Sequence, residues 1–134
     1  MIFIDTSAFF AILDSADAHH ARAARFWRQC VSEGTPLMTS NYVLLESAAL
    51  LQHRSGMLPL SALRDGVLPL VKTIFVSEDE HEKAMSALLL AARRKLSLVD
   101  CSSFEIMRRH HIQHVFAFDA HFAEQGFLCV PKKS

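Results

Sequence analysis

The sequence has no net charge and few residues that interrupt regular structure. Its 134 residues include 14 Lys and Arg and 14 Asp and Glu, so the formal net charge at pH 7 is zero. Such a chain has no long-range attraction for a polyanion, and any contact with nucleic acid must come from local basic patches. Only 4 Gly and 4 Pro are present. Because no linker is evident, we expect residues 1–134 to form a single domain.

Cysteines and long apolar runs are also scarce. The chain has 3 cysteines, Cys30, Cys101 and Cys129, an odd number at wide spacing. They predict buried free thiols in a reducing compartment and argue against a disulfide framework or a zinc site. No apolar stretch approaches the roughly 18–20 residues that a membrane span requires, and Asp5 interrupts the apolar N-terminal segment. We therefore expect a cytoplasmic protein.

Short apolar runs alternate with helical patterns along the whole chain. Strands are predicted at Ile2–Ile4, 37–39, 73–76, 115–118 and 127–130. The intervening helices are predicted over 7–13, from an Asp17 cap to about 34, from 40 or 41 to about 56, weakly over 60–70, from a Ser77–Glu80 capping box to about 94, from Asp100 to about 111, and over 120–124. This alternation predicts an α/β fold, a three-layer sandwich with a central parallel sheet of about five strands and helices on both faces.

Four acids stand in apolar surroundings. They are Asp5 in IFIDTSAFF, Glu46 in YVLLESAALL, Asp100 in LSLVDCSSF and Asp119 in VFAFDAHF. Acids are rarely buried without partners, yet no Lys or Arg is adjacent to any of them. Asp5 and Asp119 follow two predicted strands, and ligands of parallel sheets bind at the carboxyl ends of strands.

Each of these acids also has a structural interpretation. Asp5, Asp100 and Asp119 could each be a helix N-cap, and Glu46 could face water in the middle of a helix. A shared cation explains all four together, because Mg²⁺ and Mn²⁺ prefer carboxylate oxygens. Thr6, Ser7 and Ser103 would supply hydroxyls around such an ion, and Thr6 or Ser7 could then take the capping role from Asp5. This set favours metal-assisted hydrolysis of a phosphodiester.

The order of four segments carries a family resemblance. IDTSAF, TSNYVLLE, LSLVDCSSF and FAFDAHF, in that order, resemble the PIN-domain nucleases, and among them the small VapC-type toxins of toxin–antitoxin pairs. The resemblance extends from Ile2 to about Val130, and LSLVDCSSFEIMRR followed by FAFDAHF is its most specific part. It implies a PIN-like sandwich with its acids at one edge of the sheet.

The resemblance also assigns residues, a cofactor and partners. It implies a Mg²⁺- or Mn²⁺-dependent endoribonuclease that acts as a toxin, forms a homodimer and is neutralised by a VapB-type antitoxin. Asp5, Glu46 and Asp100 would hold the principal metal, and Asp119 would complete the site or help to hold a second ion. The catalytic and metal-binding residues implied are Asp5, Glu46, Asp100 and Asp119, with Thr6, Ser7, Asn41 and Ser103 in support.

Other functions remain open at this point. A PIN-type nuclease of RNA processing and a non-catalytic PIN-like binding module are both compatible with the pattern. An aspartyl phosphatase with Asp5 as nucleophile is less compatible, because such enzymes carry a second Asp two residues on, where this chain has Ser7. The sequence does not predict which RNA is cut.

Basic and histidine clusters complete the set of candidates. An acidic pocket needs a basic rim to bind RNA, but each cluster of Arg and Lys is by default a solvated surface. HHxxH at His110, His111 and His114 is interpreted as a surface turn. His121, directly after the Asp119 turn, is closer to the proposed site and could contact RNA, but its default interpretation is a surface histidine. The basic clusters are Arg22, Arg25 and Arg28; Arg93, Arg94 and Lys95; Arg108 and Arg109; and Lys132 and Lys133.

Overall fold

Five short parallel strands form the centre of the protein in the computed structural model, which describes residues 1–133. Their spatial order is β3-β2-β1-β4-β5, with all neighbouring pairs parallel. The strands are β1 Ile2–Ile4, β2 Leu37–Ser40, β3 Lys72–Ile74, β4 His114–Phe116 and β5 Leu128–Val130. This arrangement confirms the predicted α/β fold with a parallel sheet of about five strands.

The α-helices follow the strands in alternation, as predicted. A π-helical turn, Leu63–Val67, and a 3₁₀ turn, Leu68–Leu70, lie between α4 and β3. The α-helices of the described residues are α1 Thr6–Leu13, α2 His20–Glu33, α3 Asn41–Arg54, α4 Met57–Ala62, α5 Glu78–Ala91, α6 Leu98–Arg109 and α7 Ala120–Glu124.

The core lies around the central strand β1, which pairs with β2 on one side and β4 on the other. Phe3, Phe9, Phe116 and Phe122 are fully buried there. Burial of each such side chain contributes about 1.5–3 kcal/mol to the free energy of unfolding. The carboxyl ends of β1 and β4 therefore lie side by side on a well-packed base.

Some boundaries differ from the predicted ones. The weak helix expected over 60–70 is divided into α4, the π turn and the 3₁₀ turn. Pro69, which has no N–H to continue an α-helix, lies in the last of these. The cap of α2 is His19 and not Asp17, whose carboxylate instead accepts the His19 N–H at 2.9 Å. The capping box of Ser77 and Glu80 is confirmed.

Cys30 and Cys101 are buried and Cys129 is half-buried, all three as free thiols. The prediction of free thiols is confirmed, and their burial is complete for two of the three. No helix within residues 1–133 combines the length and apolar composition that crossing a membrane requires.

Candidate functional site

Asp5 is held in the turn that joins β1 to α1. Its backbone N–H donates to the Phe116 carbonyl of β4 at 3.0 Å, which ties the turn to the neighbouring strand. Its Oδ2 accepts the Ser7 N–H at 3.1 Å and the Ser7 hydroxyl at 2.7 Å. Asp5 is therefore itself the N-cap of α1, and the expectation that Thr6 or Ser7 takes that role is wrong. The cap geometry points one carboxylate oxygen back into the helix and leaves the other for different contacts.

Burial makes the Asp5 carboxylate an unfavourable place for a negative charge. The side chain is only 3% exposed, and desolvation raises its pKa to about 7. The two hydrogen bonds from Ser7 oppose this rise, and the negative charge of Asp100 adds to it. A group with a pKa of about 7 that faces another carboxylate is stabilised as an anion when a cation arrives beside it.

Asp100 lies in the first turn of α6, also in a capping motif. Ser97 is the N-cap, its hydroxyl accepts the Asp100 N–H at 3.0 Å, and Asp100 Oδ2 accepts the Ser97 N–H at 3.1 Å. The interpretation of Asp100 as the N-cap is therefore wrong, because Ser97 completes a capping box three residues earlier. Desolvation raises the pKa of the Asp100 carboxyl, and the charge of Asp119 raises it further.

Asp119 follows β4 and caps the short helix α7. Its Oδ1 accepts the His121 N–H at 2.9 Å, and the side chain is 34% exposed. One ligand atom from each of Asp100, Asp119 and His121 lies within 4.8 Å of the other two. The turns after β1 and β4, together with the start of α6, thus bring three of the four predicted acids to the same edge of the sheet.

His121 is the residue of this cluster that the sequence interpretation missed. Its side chain is only 15% exposed, so its interpretation as a surface histidine is wrong. Nε2 lies 3.8 Å from Asp119 Oδ1, and Nδ1 is buried without a hydrogen-bond partner among the described residues. A signal was present in the sequence, because a histidine two residues after a strand-end acid lies in the first turn of the following helix. By contrast, His110, His111 and His114 are all exposed.

Glu46 lies apart from this cluster. It is half-buried in the second turn of α3 and lines a separate hollow of about 450 Å³ together with Tyr42, His81, Leu98 and Val99. Leu98 and Val99 of this hollow directly precede Asp100 in α6. The structure does not bring its carboxylate into the compact group formed by Asp100, Asp119 and His121.

Of the four predicted supporting residues, one contacts an acid of the site and three bond to the backbone. Ser7 contacts an acid directly, and its hydroxyl oxygen also accepts the Phe118 N–H at 3.0 Å, so it links the β1 and β4 turns. Thr6 donates to the Val43 carbonyl at 3.5 Å, and Ser103 donates to the Val99 carbonyl at 3.0 Å. Asn41 Oδ1 accepts the Val76 N–H at 2.8 Å. Three of the four side chains therefore hold the scaffold, and Ser7 orients a carboxylate.

The donor set of the site fits a divalent cation. Carboxylate oxygens suit Mg²⁺ and Mn²⁺, and an imidazole nitrogen is accepted more readily by a transition metal such as Mn²⁺ than by Mg²⁺. Among residues 1–133, His121 is the one basic side chain within ion-pair distance of Asp5, Glu46, Asp100 or Asp119. The acids thus repel one another without an Arg or Lys to neutralise them, as a cation-binding cluster requires.

Comparison with known proteins identifies the class. The family model for the PIN domain matches residues 2–128. The chain belongs to the PIN-domain family, and the resemblance to its VapC-type toxins is confirmed.

Individual relatives sharpen this assignment. The 23S rRNA-specific endonuclease VapC20 of Mycobacterium tuberculosis, from strains CDC 1551 / Oshkosh and H37Rv, is 37% identical over 129 residues, which cover 96% of both proteins. The crystal structure of M. tuberculosis VapC20, described as a sarcin-ricin loop cleaving toxin, superposes with a TM-score of 0.83 at 36% identity, over 96% of this chain and 97% of that one. FitAcB from Neisseria gonorrhoeae has a TM-score of 0.68 at 14% identity over 96% of each chain, a likeness of fold alone.

Proposed function

We propose that this chain is a divalent-metal-dependent endoribonuclease that acts as the toxin of a toxin–antitoxin pair and cuts ribosomal RNA. The observation that carries the proposal is the group of acids at the carboxyl edge of the sheet, where Asp5, Asp100 and Asp119 repel one another without an Arg or Lys partner among residues 1–133. The full-length similarity to a PIN-family endonuclease specific for 23S rRNA supports the choice of substrate class.

Each residue of the site has a proposed role. Asp100, Asp119 and His121 would hold the cation, with Asp5 as the buried acid beside Asp100 and Glu46 approaching from α3. A bound divalent ion supplies Lewis-acid polarisation of the scissile phosphate and activation of water for its hydrolysis. Ser7 fixes the rotamer of Asp5 through a 2.7 Å hydrogen bond, and the Ser97 N–H fixes Asp100 at 3.1 Å. These bonds pre-organise the carboxylates, so little reorganisation is needed when substrate binds.

The partners follow from the same assignment. A VapB-type antitoxin would neutralise the enzyme, two copies of the chain would form a homodimer, and the cytoplasm would be the place of action because ribosomes are its substrate. The resemblance of the whole chain to VapC-type toxins supports this part of the proposal.

Cleavage mapping on ribosomes tests the proposal. The purified chain, free of antitoxin, is incubated with bacterial ribosomes in Mg²⁺ or Mn²⁺ and in EDTA, and new 5′ ends are mapped across all RNA. We expect discrete cleavage within 23S rRNA that EDTA abolishes and that Asp5→Asn and Asp100→Asn lack. Equal cleavage by wild type and both variants, or no cleavage of any RNA in either metal, would contradict the proposal.

A growth experiment separates a toxin from a nuclease of RNA processing. Expression of the chain alone should arrest growth, and co-expression of a neighbouring small reading frame should relieve the arrest. The catalytic variant Asp100→Asn, expressed at the same level, is the control and should not arrest growth. Normal growth with active wild-type enzyme would favour the processing function.

A further inference from the structure

A groove beside the acid cluster is lined by three cations, Arg22, Lys132 and Lys133. It has a volume of about 500 Å³ and extends from Asp119 to the C-terminal segment after β5. We call it the basic groove and define it by His19, Arg22, Phe118, Lys132 and Lys133. Two of the basic clusters in the sequence, one at the start of α2 and one at the C-terminus, thus meet at the edge of the proposed catalytic site.

Within the described part of the chain, the cations of this groove have no acidic partner to neutralise them. Ion pairs among residues 1–133 include none with Arg22, Lys132 or Lys133. Arg93, in contrast, pairs with Glu124 at 2.8 Å, and Arg109 pairs with Glu105 at 2.9 Å and with Asp79. Asp119 is the one acid that lines the groove. The groove is therefore positively charged in a protein whose net charge is zero.

Aromatic side chains give the groove a flat surface as well as charge. The His19 and Phe118 rings are stacked, with centroids 4.4 Å apart and planes 6° from parallel. The Arg22 guanidinium carbon lies 5.5 Å from the Phe118 centroid, and its Nη2 donates to the Pro131 carbonyl at 3.1 Å. Because His19 is exposed, its ring offers a stacking surface in a cationic groove. Single-stranded nucleic acids are bound by this combination of stacking platforms and basic side chains.

The groove is also connected to the catalytic acids through the backbone. The Phe118 N–H donates to the Ser7 hydroxyl, which in turn donates to Asp5. Phe118 is followed directly by Asp119, so the aromatic platform and the metal cluster share one turn. A smaller hollow of about 180 Å³, lined in part by Arg22, Arg25 and Lys132, continues the basic surface along α2.

We propose that the basic groove holds the single-stranded RNA segment next to the scissile phosphate, with Arg22, Lys132 and Lys133 on its phosphates and a base stacked on His19. This inference rests on the proposed ribonuclease function and names the surface through which the substrate is held. The alternative occupant of a cationic groove, an acidic peptide, is compared in the experiment.

Fluorescence anisotropy tests the groove without depending on cleavage. A short fluorescein-labelled single-stranded oligoribonucleotide is titrated with protein in EDTA over a series of salt concentrations. Lys132→Ala/Lys133→Ala should weaken binding and flatten the dependence of log K on log salt by about 1.4, because two phosphate contacts are lost. His19→Ala should weaken binding about fivefold to tenfold through loss of stacking. All three side chains are exposed, so the fold should be retained.

The matched control is Arg64→Ala/Lys72→Ala, which removes the same charge from exposed positions away from the carboxyl edge. It should bind RNA as wild type does at every salt concentration. Groove variants that bind RNA no more weakly than this control would overturn the proposal. So would groove variants that lose binding to a labelled polyglutamate peptide while keeping wild-type affinity for RNA.

The two proposals fail in distinguishable ways. RNA binding through the groove by a protein that cleaves no RNA would contradict the ribonuclease function and leave the groove as an RNA site. Cleavage by a protein whose groove variants bind RNA normally would overturn the groove alone.

Discussion

Two capping boxes in this protein have almost the same local structure and opposite electrostatic surroundings. Ser77 and Glu80 begin α5, Ser97 and Asp100 begin α6, and the two acids are 6% and 7% exposed. Glu80 has Arg109 at 3.9 Å, whereas the charged neighbours of Asp100 include Asp5 and Asp119. A capping box therefore explains the position of each acid. The charged residues around each box distinguish Glu80, which has a basic partner, from Asp100, the proposed metal ligand.

The same contrast extends to the acids nearby. A hydrogen bond from Arg109 holds the pKa of Asp79 below its usual range, and the charge of Lys83 contributes. Burial raises the pKa of Asp5 to about 7. Compensated acids stabilise a fold, and uncompensated ones cost stability unless a cation binds. We therefore expect that neutralising a compensated acid such as Glu80 lowers the stability of the fold, whereas neutralising Asp5 raises the stability of the metal-free protein.

The largest expected effect is on catalysis, in the pair Asp100→Asn and Glu80→Gln. Asp100→Asn should lower the rate of RNA cleavage on the order of 10²–10³-fold, because a charged group at the reacting centre is lost. Glu80→Gln should cleave at the wild-type rate but have a lower Tm. Initial rates on a ribosomal RNA fragment and thermal unfolding of both variants check this. Similar losses of activity in the two variants would remove the distinction between the two boxes.

Neutralising Asp5 should stabilise the metal-free protein. Asp5→Asn keeps an oxygen to accept the Ser7 N–H and removes a charge that burial disfavours. In EDTA at pH 7.5 the free energy of unfolding should rise on the order of 2 kcal/mol, while cleavage is lost. Asp17→Asn, at a half-buried turn acid whose hydrogen bond from the His19 N–H an Asn oxygen can also accept, is the control and should change neither quantity. Urea unfolding measures the difference, and a less stable Asp5→Asn would show that the buried charge is already compensated.

The pH dependence of stability follows from the same raised pKa. Asp5 has a folded-state pKa of about 7 against an ordinary value of 3.8, so the folded state binds its proton more tightly than the unfolded state does. The contribution of Asp5 is therefore favourable at acid pH and is lost as the pH rises from about 4 to about 7. The difference in stability between Asp5→Asn and wild type in EDTA should grow across this range, and a constant difference would contradict the assignment.

A smaller effect is expected from His121. His121→Gln should weaken Mn²⁺ binding about tenfold or more, as measured by calorimetry, and weaken Mg²⁺ binding less, because imidazole nitrogen is a better ligand for Mn²⁺ than for Mg²⁺. His114→Gln, at an exposed histidine of the HHxxH segment, is the matched control. Equal affinities in the His121 variant and the control would place His121 outside the metal shell.

The smallest expected effect comes from Arg109, which pairs with acids outside the proposed site. Arg109→Ala removes the cation shared by Asp79, Glu80 and Glu105 and should lower Tm by a few degrees at low salt. Because the pairs with Asp79 are exposed, high salt should reduce the difference. Activity should not change. A Tm loss that is independent of salt would indicate a packing role for Arg109 in place of an electrostatic one.

Much of the fold could be read from the sequence, because the strands are short β-branched and aromatic runs with helical patterns between them. The acids Asp5, Asp100 and Asp119 could be found for a related reason, since each interrupts a buried run. Their tertiary arrangement could not, because the role of Asp100 depends on a serine three residues earlier and on two acids distant in sequence. A single α-helix over 60–70 was not realised, because local breaks at Pro69 and the π turn compete with the helical pattern.

His121 and the basic groove could not be predicted from the sequence either, because both depend on residues that only the fold brings together. The sequence does not reveal the burial of His121, because it is the turn after β4 that brings its ring to Asp119. Arg22 and Lys132 are more than a hundred residues apart in the chain, and their proximity depends on the position of β5 at the sheet edge. The sequence could name these residues as basic but not distinguish them from Arg93 or Arg109, whose charges are paired.

Calorimetric titration of Mn²⁺ into the metal-free protein at pH 7, repeated in buffers of different ionisation enthalpy, tests the central claim most directly. A cation that compensates a buried acid of pKa about 7 must displace its proton, so saturable binding should release about half a proton. Asp5→Asn should release fewer protons than wild type, and Asp100→Asn should bind far more weakly. Absence of Mn²⁺ binding, or binding by wild type with no proton release, would contradict the account.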